Sequence, residues 1–207
     1  MIIAVDGPSA AGKGTLARGL AKALGFHFLD TGSLYRAVGL MMLRHGKSLD
    51  DADSAAHFAA ALDLSAIADH ELRNEQVAQA ASRISAYPRV RGNLLAFQRD
   101  FARKPPGAVL DGRDIGTVVC PDANLKFFVT AATDVRARRR FEELRRQGIA
   151  TTYDEVLADV LARDERDATR ATAPTVMADD AIMIDTSELT ADEVLKAVLD
   201  VVKDLKP

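Results

Sequence analysis

Residues 7–15 read Gly7-Pro8-Ser9-Ala10-Ala11-Gly12-Lys13-Gly14-Thr15, and this glycine-rich stretch decides the fold. Its Gly-x4-Gly-Lys spacing is close to that of loops that bind phosphate groups. The apolar run of residues 1–5 predicts a buried strand before it, and the apolar spacing of residues 16–24 predicts a helix after it. A strand, a glycine loop and a helix form the arrangement that such a loop requires. The alternative is a glycine-rich turn with a surface lysine.

The residue types in this stretch suit a bound phosphate. Glycines let the backbone approach closely, and the start of the following helix contributes free N–H groups and the positive end of its dipole. Lys13 supplies a mobile positive charge that can follow a transferring phosphoryl group. The usual motif has Ser or Thr directly after the lysine, but here Gly14 stands there and Thr15 follows. We therefore expect Thr15 either to bind Mg²⁺ directly or to contact a phosphate, with the metal held through water.

Length and composition indicate a single domain with an ample core, because 48% of the 207 residues are hydrophobic. A net charge of −3 argues against general binding to nucleic acid or to membrane surfaces. Cys120 is the one cysteine, so no internal disulfide is expected, and a small buried hydrophobe is a better interpretation than a nucleophile. Because we see no secretory signal and no apolar run of membrane-spanning length, we expect a cytoplasmic protein.

Strand-like runs alternate with helical patterns along the chain, which predicts a parallel sheet covered by helices on both faces. The last helix is marked by a capping box, in which Thr190 is followed three residues later by Glu193. The predicted strands are Ile2–Val5, Phe26–Leu29, Ala108–Leu110, Leu125–Val129 and Ala181–Ile184. The predicted helices are Lys13–Leu24, Leu34–Arg44, Ala52–Ala61, Glu75–Ser85, Val90–Arg103, Asp134–Arg146, Thr152–Thr169 and Ala191–Leu205.

Two stretches lie outside this alternation. Residues 45–106 are polar and helical without a convincing strand, and residues 134–175 are dense in arginine. Ligands of a doubly wound sheet sit beyond the carboxyl ends of its strands, so inserts that leave those ends are natural covers for a site. Charged, lightly packed covers tend to move.

Polar residues follow the second predicted strand. Asp30 and Thr31 can cap the next helix. Arg36 lies about one turn into that helix, close enough to its start to face the same crevice. An arginine there suits either a second phosphate, because its fork binds two oxygens at once, or solvent.

The third predicted strand ends in a charged cluster, Asp111-Gly112-Arg113-Asp114, followed by Ile115-Gly116-Thr117. An aspartate at the end of an apolar strand is where phosphoryl-transfer enzymes hold magnesium or its waters. Three charges in four residues are costly in a dry interior. They therefore either bind a polar ligand or pair internally, Arg113 with Asp111 or with Asp114.

The arginine-rich region divides into two parts. Residues 134–146 carry opposite charges at i, i+4, which is typical of a solvated helix face. Arg163, Arg166 and Arg170 share one helix face, where like charges repel and Asp167 offsets part of the repulsion. A row of arginines above a phosphate crevice is what in-line phosphoryl transfer needs, because charge builds on the equatorial oxygens.

Taken together, these segments resemble the bacterial-type cytidylate kinases, a family of P-loop nucleoside monophosphate kinases. The resemblance covers nearly the whole chain, and the ordered set of motifs is highly specific. It rests on residues 6–15, residues 29–36, Ser82 with Pro88-Arg89-Val90-Arg91, residues 111–117, and residues 163–170 before Ala173-Pro174. It implies a three-layer α/β fold of the P-loop NTPase type around a five-stranded parallel sheet. The implied reaction is ATP + CMP (or dCMP) → ADP + CDP (or dCDP), with Mg²⁺.

The resemblance also implies a domain organisation and partners. A core of residues 1–44, 107–133 and 176–207 would carry a monophosphate-binding insert at about 45–106 and a lid at about 134–175. A monomer that binds ATP and CMP or dCMP is expected, with neither nucleic acid nor a membrane as partner. Many members of the family have a small β-rich insert before the segment that matches residues 76–82, whereas residues 64–74 here are short and have no strand pattern.

The family's site residues carry over onto matching positions. The implied ATP contacts are Gly7, Pro8, Ser9, Ala10, Ala11, Gly12, Lys13, Gly14 and Thr15. The implied CMP contacts are Thr31, Tyr35, Arg36, Ser82, Arg91, Asp111, Arg113, Asp114, Arg163, Asp167 and Arg170. The implied catalytic residues are Lys13, Arg113, Arg163 and Arg170, and Mg²⁺ would be held through Thr15 or through Asp111 by way of water.

The chemistry of cytosine agrees with the base-contacting assignments. Cytosine presents O2 and N3 as acceptors and an N4 amino group as a donor, so Arg91 can donate to the first two and Asp114 can accept from the third. In uracil the last two features are reversed, which would leave Asp114 facing an acceptor. Two alternatives stay open. One is another small P-loop kinase that phosphorylates UMP or a non-nucleotide metabolite, and the other is a nucleotide-dependent switch that binds ATP without an acceptor.

Overall fold

A computed structural model of the protein describes residues 1–204. Its strands are β1 (Ile2–Asp6), β2 (His27–Asp30), β3 (Ala108–Asp111), β4 (Leu125–Thr130) and β5 (Ile182–Asp185). All pairs are parallel and the order is β2-β3-β1-β4-β5, which confirms the predicted α/β fold with a five-stranded parallel sheet. Every strand runs one residue further towards its carboxyl end than the apolar pattern predicts. The added residue is polar each time, because the backbone ladder continues past the last apolar side chain to the edge of the site.

The predicted helices are all present. Their bounds are α1 (Lys13–Leu24), α2 (Thr31–Arg44), α3 (Ala52–Ala60), α4 (Glu75–Ile84), α5 (Pro88–Ala102), α6 (Thr133–Arg146), α7 (Tyr153–Thr169) and α8 (Ala191–Asp204). The predicted extension of the last helix to Leu205 lies outside the described residues. The capping box before α8 is confirmed, because Thr190 N–H donates to the Glu193 carboxylate and Glu193 N–H donates to Thr190 Oγ1.

Two features of local structure were not predicted. Helix α2 begins at Thr31 rather than at Leu34, because the chain passes from β2 into the helix without a loop. Residues Ile115–Val119 form a single π-helical turn, which we call the π-turn. Such turns are rare and occur often at functional sites. In the described stretch 45–106 there are helices and two 3₁₀ turns but no strand, as the sequence predicts.

The core lies on both faces of the sheet, which gives the predicted three layers. Alternate side chains of a strand point to opposite faces, so Ile3 and Val5 pack with α1 and α8 while Ala4 packs with α5 and the π-turn. Cys120 is buried in the second of these clusters. Burial raises the pKa of its thiol to about 11, so Cys120 is a small hydrophobe, as predicted, and not a nucleophile.

The helices outside the sheet have apolar clusters of their own. Leu34, Val38 and Met42 of α2 pack with Ile84 of α4 and Leu94 of α5. A separate cluster joins α6 and α7 through the buried side chains Ala137, Leu144, Val156 and Val160. These clusters hold the two groups of helices over the carboxyl end of the sheet, where β1, β2 and β3 end in aspartates.

Candidate active site

The phosphate loop is built around a glycine that no other residue could replace. Gly7 has φ 139°, and a Cβ there would lie 2.0 Å from the carbonyl oxygen of Val129 on β4. The loop therefore passes directly against the neighbouring strand before α1 begins. Ala10 also has a positive φ, 59°, so the whole turn is wound tightly enough to point backbone N–H groups inward.

Lys13 lies inside this loop rather than on the surface. Its side chain is buried and Nζ donates to the carbonyl oxygen of Pro8 at 2.7 Å. Burial lowers the pKa of Lys13 to about 7, and the positive charge of Arg113 adds to the shift. A nearby anion would favour the charged form again, so the ammonium group is placed to gain from a bound phosphate. This rules out the surface-lysine interpretation.

Two neighbouring strands on the other side of the loop end in aspartates. Asp111 is buried and Asp30 is half-buried. Asp30 and Asp111 are paired across β2 and β3. Burial raises the pKa of Asp111, against the opposing charge of Lys13. A Cβ on Gly14 would lie 3.1 Å from Asp111 Oδ2, so a Ser or Thr in the usual position of the motif would crowd this carboxylate. The hydroxyl of Thr15, one residue later, is exposed on α1.

These residues offer oxygen ligands to a divalent cation. Mg²⁺ prefers oxygen ligands and usually keeps several waters, held by one or two carboxylates and by substrate phosphates. Asp111 and Thr15 supply a carboxylate and a hydroxyl beside the loop. Among the described residues, no group of three or more His, Cys, Asp or Glu side chains could hold a metal by itself.

The start of α2 forms one wall of the site. Arg36 pairs with Asp30 at 2.5 Å, and Thr31 Oγ1 donates to the carbonyl oxygen of Asp111 at 2.8 Å. Asp30 is the N-cap residue of α2, as expected, but its carboxylate pairs with Arg36 and makes no capping bond. Arg36 is half-buried and faces the crevice, so it is not simply a solvated arginine.

A buried ion pair lies on the side of the crevice opposite the start of α2. Arg91 of α5 donates to Asp114 Oδ2 at 2.5 Å, and both side chains are less than a tenth exposed. The guanidinium also donates to the carbonyl oxygen of Ser85 and lies over the ring of Tyr35, 5.5 Å from its centroid. Burial raises the pKa of Tyr35, which keeps the phenol neutral.

Helix α7 places its charged face over this crevice. Arg113 donates to Asp167 at 3.0 Å, and Arg163 and Arg170 lie 4.0 and 3.9 Å from the same carboxylate. Of the two alternatives for Arg113, internal pairing with Asp111 or Asp114 is not what the structure has, since its partner lies 54 residues away. Although burial opposes it, the three arginines lower the pKa of Asp167 and keep it ionised.

Two of these arginines have donors with no acceptor. Within the described part of the chain, Nε of Arg163 and Nη2 of Arg170 are buried and make no hydrogen bond. Burial lowers the pKa of Arg163 to about 10, and the charge of Arg113 adds to the shift. Buried donors without acceptors are costly, so this arrangement is suited to an anionic ligand that would satisfy them.

A cleft of about 240 Å³ opens between α4 and α7 beside the ion pair. Its lining includes Ser82, Ser85, Arg166, Asp167 and Arg170. Arg166 Nε lies 3.4 Å from Ser82 Oγ across it. The site residues expected from the sequence are thus brought together around one crevice, from the phosphate loop through Asp111–Asp114 to the face of α7.

The sequence reasoning missed two buried side chains at this site. Arg136 of α6 is buried, pairs with Asp164 of α7 at 2.7 Å and reaches the carbonyl oxygen of Ser9 in the phosphate loop. The charge pattern of residues 134–146 indicated a solvated helix face, so the burial of Arg136 was not predicted. Asp6 is also buried, and its position directly before the glycine loop was a signal that could have singled it out.

This combination defines a class of protein. A parallel sheet in this order, a glycine loop after its first strand, and arginines converging on the crevice from an inserted lid-like helix are the features of a small P-loop kinase. The family model described as "Cytidylate kinase" matches residues 3–204. The chain therefore belongs to the cytidylate kinase family, and a kinase of this family implies ATP, a nucleotide acceptor and a divalent metal.

Curated relatives agree over their full length. The chain is 55% identical to "Cytidylate kinase" of Paramagnetospirillum magneticum, with 97% of both chains covered. It is 53% identical to the protein of that name in Rhodospirillum rubrum, covering 97% of this chain and 96% of the relative. It is 52% identical to the protein of that name in Rhodopseudomonas palustris, covering 100% of this chain and 98% of the relative.

Solved structures support the fold alone. An uncharacterized protein from Eubacterium ventriosum superposes with a TM-score of 0.58 at 14% identity, covering 100% of this chain and 99% of the other. A sugar kinase from Janibacter sp. superposes with a TM-score of 0.51 at 14% identity, covering 97% of this chain and 93% of the other. None of the described helices is long and apolar enough to cross a membrane.

Proposed function

We propose that this protein transfers the γ-phosphoryl group of ATP to CMP or dCMP, giving ADP and CDP or dCDP. The observation that carries the proposal is the buried Arg91–Asp114 pair beside the cleft that Ser82 lines. Together these side chains offer donors to O2 and N3 of cytosine and an acceptor to its N4 amino group. A switch that only binds ATP would have no use for this second set of groups.

The proposed ATP site and the proposed CMP site meet at the cluster of positively charged side chains. The loop of residues 7–15 would hold the ATP phosphates, while Thr31, Arg36 and Arg113 would hold the phosphate of the acceptor. Lys13, Arg113, Arg163 and Arg170 would stabilise the charge that builds on the transferring group during in-line displacement. The buried donors on Arg163 and Arg170 support this role because they have no acceptor in the free protein. Transfer is direct, without a covalent intermediate on the protein.

Magnesium is the divalent ion that we propose for this reaction, with Asp111 and Thr15 as the residues that would hold it or its waters. When bound with ATP, it supplies neutralisation of the charge on the β- and γ-phosphates. Closure of α7 and its neighbours over the crevice would exclude water, which would otherwise accept the phosphoryl group. We also propose that the protein acts as a monomer in the cytoplasm, with residues 45–106 and 134–175 as the insert and the lid on the core.

An acceptor screen tests this function. ADP release is measured in a coupled assay with CMP, dCMP, UMP, AMP and shikimate, and we expect CMP or dCMP to give the highest kcat/KM. A rate with CMP no better than that with UMP, AMP or shikimate would overturn the proposal in favour of a different P-loop kinase.

A variant of the base-reading group gives a second test. Asp114→Asn keeps the shape of the side chain but replaces one acceptor oxygen with a donor, so we expect the KM for CMP to rise about tenfold or more. Asp100→Asn is the matched control, since Asp100 is exposed on α5 and only loosely paired with Arg103 at 4.0 Å. Unchanged CMP affinity in Asp114→Asn would favour the ATP-binding switch.

A further inference from the structure

Asp6 joins the two halves of the site without facing either nucleotide. It is the last residue of β1, directly before Gly7, and its side chain is only 5% exposed. Oδ1 accepts from the backbone N–H of Ile115 at 2.8 Å, and Oδ2 accepts from that of Gly116 at 2.7 Å. Those two residues begin the π-turn and directly follow Asp114. A single carboxylate thus connects the phosphate loop to the segment that carries Arg113 and Asp114.

The contact depends on the shape of both partners. An ionised carboxylate has two acceptor oxygens and no donor, so it can satisfy two neighbouring N–H groups at once. Gly116 lies directly beside the carboxylate, because a Cβ there would be in ordinary contact with Asp6 Oδ2 at 3.4 Å. An asparagine in place of Asp6 would satisfy one N–H group and turn a donor towards the other.

Holding this carboxylate inside the protein is unfavourable. Burial raises the pKa of Asp6 to about 6 against the two backbone donors, and the charge of Asp114 raises it further. Removing the carboxylate would in turn leave two buried N–H groups without an acceptor, which is also costly. What the carboxylate provides is therefore the pair of hydrogen bonds that joins two functional loops.

We propose that Asp6 is a positioning residue, which sets the separation between the loop that holds ATP and the segment that holds the acceptor phosphate and base. This inference rests on the proposed function. It adds a residue that touches neither substrate but aligns the acceptor oxygen with the γ-phosphorus.

Misalignment would change the partition of the phosphoryl group between two acceptors. In the proposed reaction, an oxygen of the CMP phosphate bonds to the γ-phosphorus as the bond to the bridging oxygen of ADP breaks, giving CDP and ADP. In the competing reaction, water bonds to the γ-phosphorus instead and gives ADP, inorganic phosphate and a proton. A displacement of about 1 Å can slow an oriented transfer by about 100-fold, whereas water needs no such alignment.

The experiment measures this partition in the wild type and in Asp6→Asn. With ATP, Mg²⁺ and CMP present, we expect the ratio of phosphate released to CDP formed to rise about tenfold or more, with the KM of each nucleotide changed by less than about threefold. The ratio is independent of how much of the protein is folded, so a purely structural role would not move it. An unchanged ratio would overturn the inference.

Two controls and a second variant complete the test. Asp200→Asn makes the same chemical change at an exposed aspartate of α8 that pairs with Lys203, and Val198→Ala weakens the core of α8 away from both loops. Both should leave the ratio unchanged. Asp6→Glu keeps the carboxylate but lengthens the side chain by one methylene, so it should displace the π-turn and also raise the ratio, which keeps the inference testable if Asp6→Asn does not fold.

The outcomes separate this inference from the proposed function. If the wild type does not phosphorylate CMP at all, the proposed function fails, and the partition is measured with the best acceptor found in the screen. If the wild type phosphorylates CMP but neither Asp6→Asn nor Asp6→Glu moves the ratio, the role of Asp6 alone is wrong.

Discussion

At the scale of the residue, three aspartates at the ends of adjacent strands have different roles that the sequence does not separate. Asp30 pairs with Arg36 and is about a third exposed. Asp111 is buried near Lys13, and Asp6 binds backbone N–H groups of the π-turn. The charged states of Asp6 and Asp111 depend on these partners, because burial alone would favour protonation of both carboxylates.

The raised pKa of Asp6 predicts a change in stability with pH. Its folded value of about 6 exceeds the ordinary 3.8, so the folded state binds this proton more tightly and stability is lost as the pH rises from about 4 to about 6. The variant Asp6→Asn has no titratable group at this position. Between pH 5 and pH 7.5, the free energy of unfolding of the variant relative to the wild type should therefore rise by about 1.4 kcal/mol. Urea unfolding at the two pH values measures it, and a difference that stays constant or falls would contradict the raised pKa.

The residues predicted from sequence were those with a local signal. Lys13 follows from the glycine spacing, and Arg163 and Arg170 follow from a helix face. The partner of Arg113 could not be predicted, because Asp167 lies on an element that only the tertiary fold brings near. From the sequence, the only partners that could be named for Arg113 were charges close to it in the chain, such as Asp111.

At the scale of the element, helices α6 and α7 are held by charges as well as by their apolar cluster. Arg136 of α6 is almost fully buried and pairs with Asp164 of α7, whose Oδ1 is buried without a hydrogen bond in the described structure. Arg140 of α6 pairs with Glu75, at the start of α4. Neither arginine has an opposite charge four residues away in α6, so each pairs with a carboxylate of another helix.

The buried pair predicts a strongly non-additive effect on stability. Arg136→Met removes the cation and leaves Asp164 uncompensated, so we expect a loss of about 3–5 kcal/mol in the free energy of unfolding. Adding Asp164→Leu removes the stranded charge and should restore most of that loss. Denaturant unfolding of the two single variants and the double variant measures the coupling. Additive losses would show that the two side chains do not interact.

The regular elements were predictable because each has a strong periodic signal, whereas the π-turn has none. Its first N–H groups bond to Asp6, 109 and 110 residues earlier in the chain. A turn that is fixed by a side chain on another strand leaves no pattern in its own sequence. The same holds for the start of α2, where Thr31 bonds across to the end of β3.

At the scale of the whole molecule, the charge is unevenly distributed. The chain has a net charge of −3, yet Arg113, Arg163 and Arg170 converge on a single carboxylate, Asp167. Like charges that are held together in a partly dry crevice destabilise the free protein, and they are stabilised when an anion binds. Sites of this kind commonly reduce stability in exchange for function.

This uneven charge predicts that one arginine opposes folding of the free protein. Arg163 has a pKa lowered to about 10 by burial and by Arg113, so its charged form is unfavourable in the folded state at neutral pH. Arg163→Met should therefore stabilise the free protein by about 1 kcal/mol, while it lowers the transfer rate. Sulfate at about 10 mM should raise the Tm of the wild type above that in chloride of equal ionic strength, and Arg163→Met should lose most of that rise. Arg138→Met, at an exposed position on α6, should change neither quantity. If Arg163→Met proved less stable than the wild type and kept the full response to sulfate, the arginine cluster would be a structural network and not a site that awaits an anion.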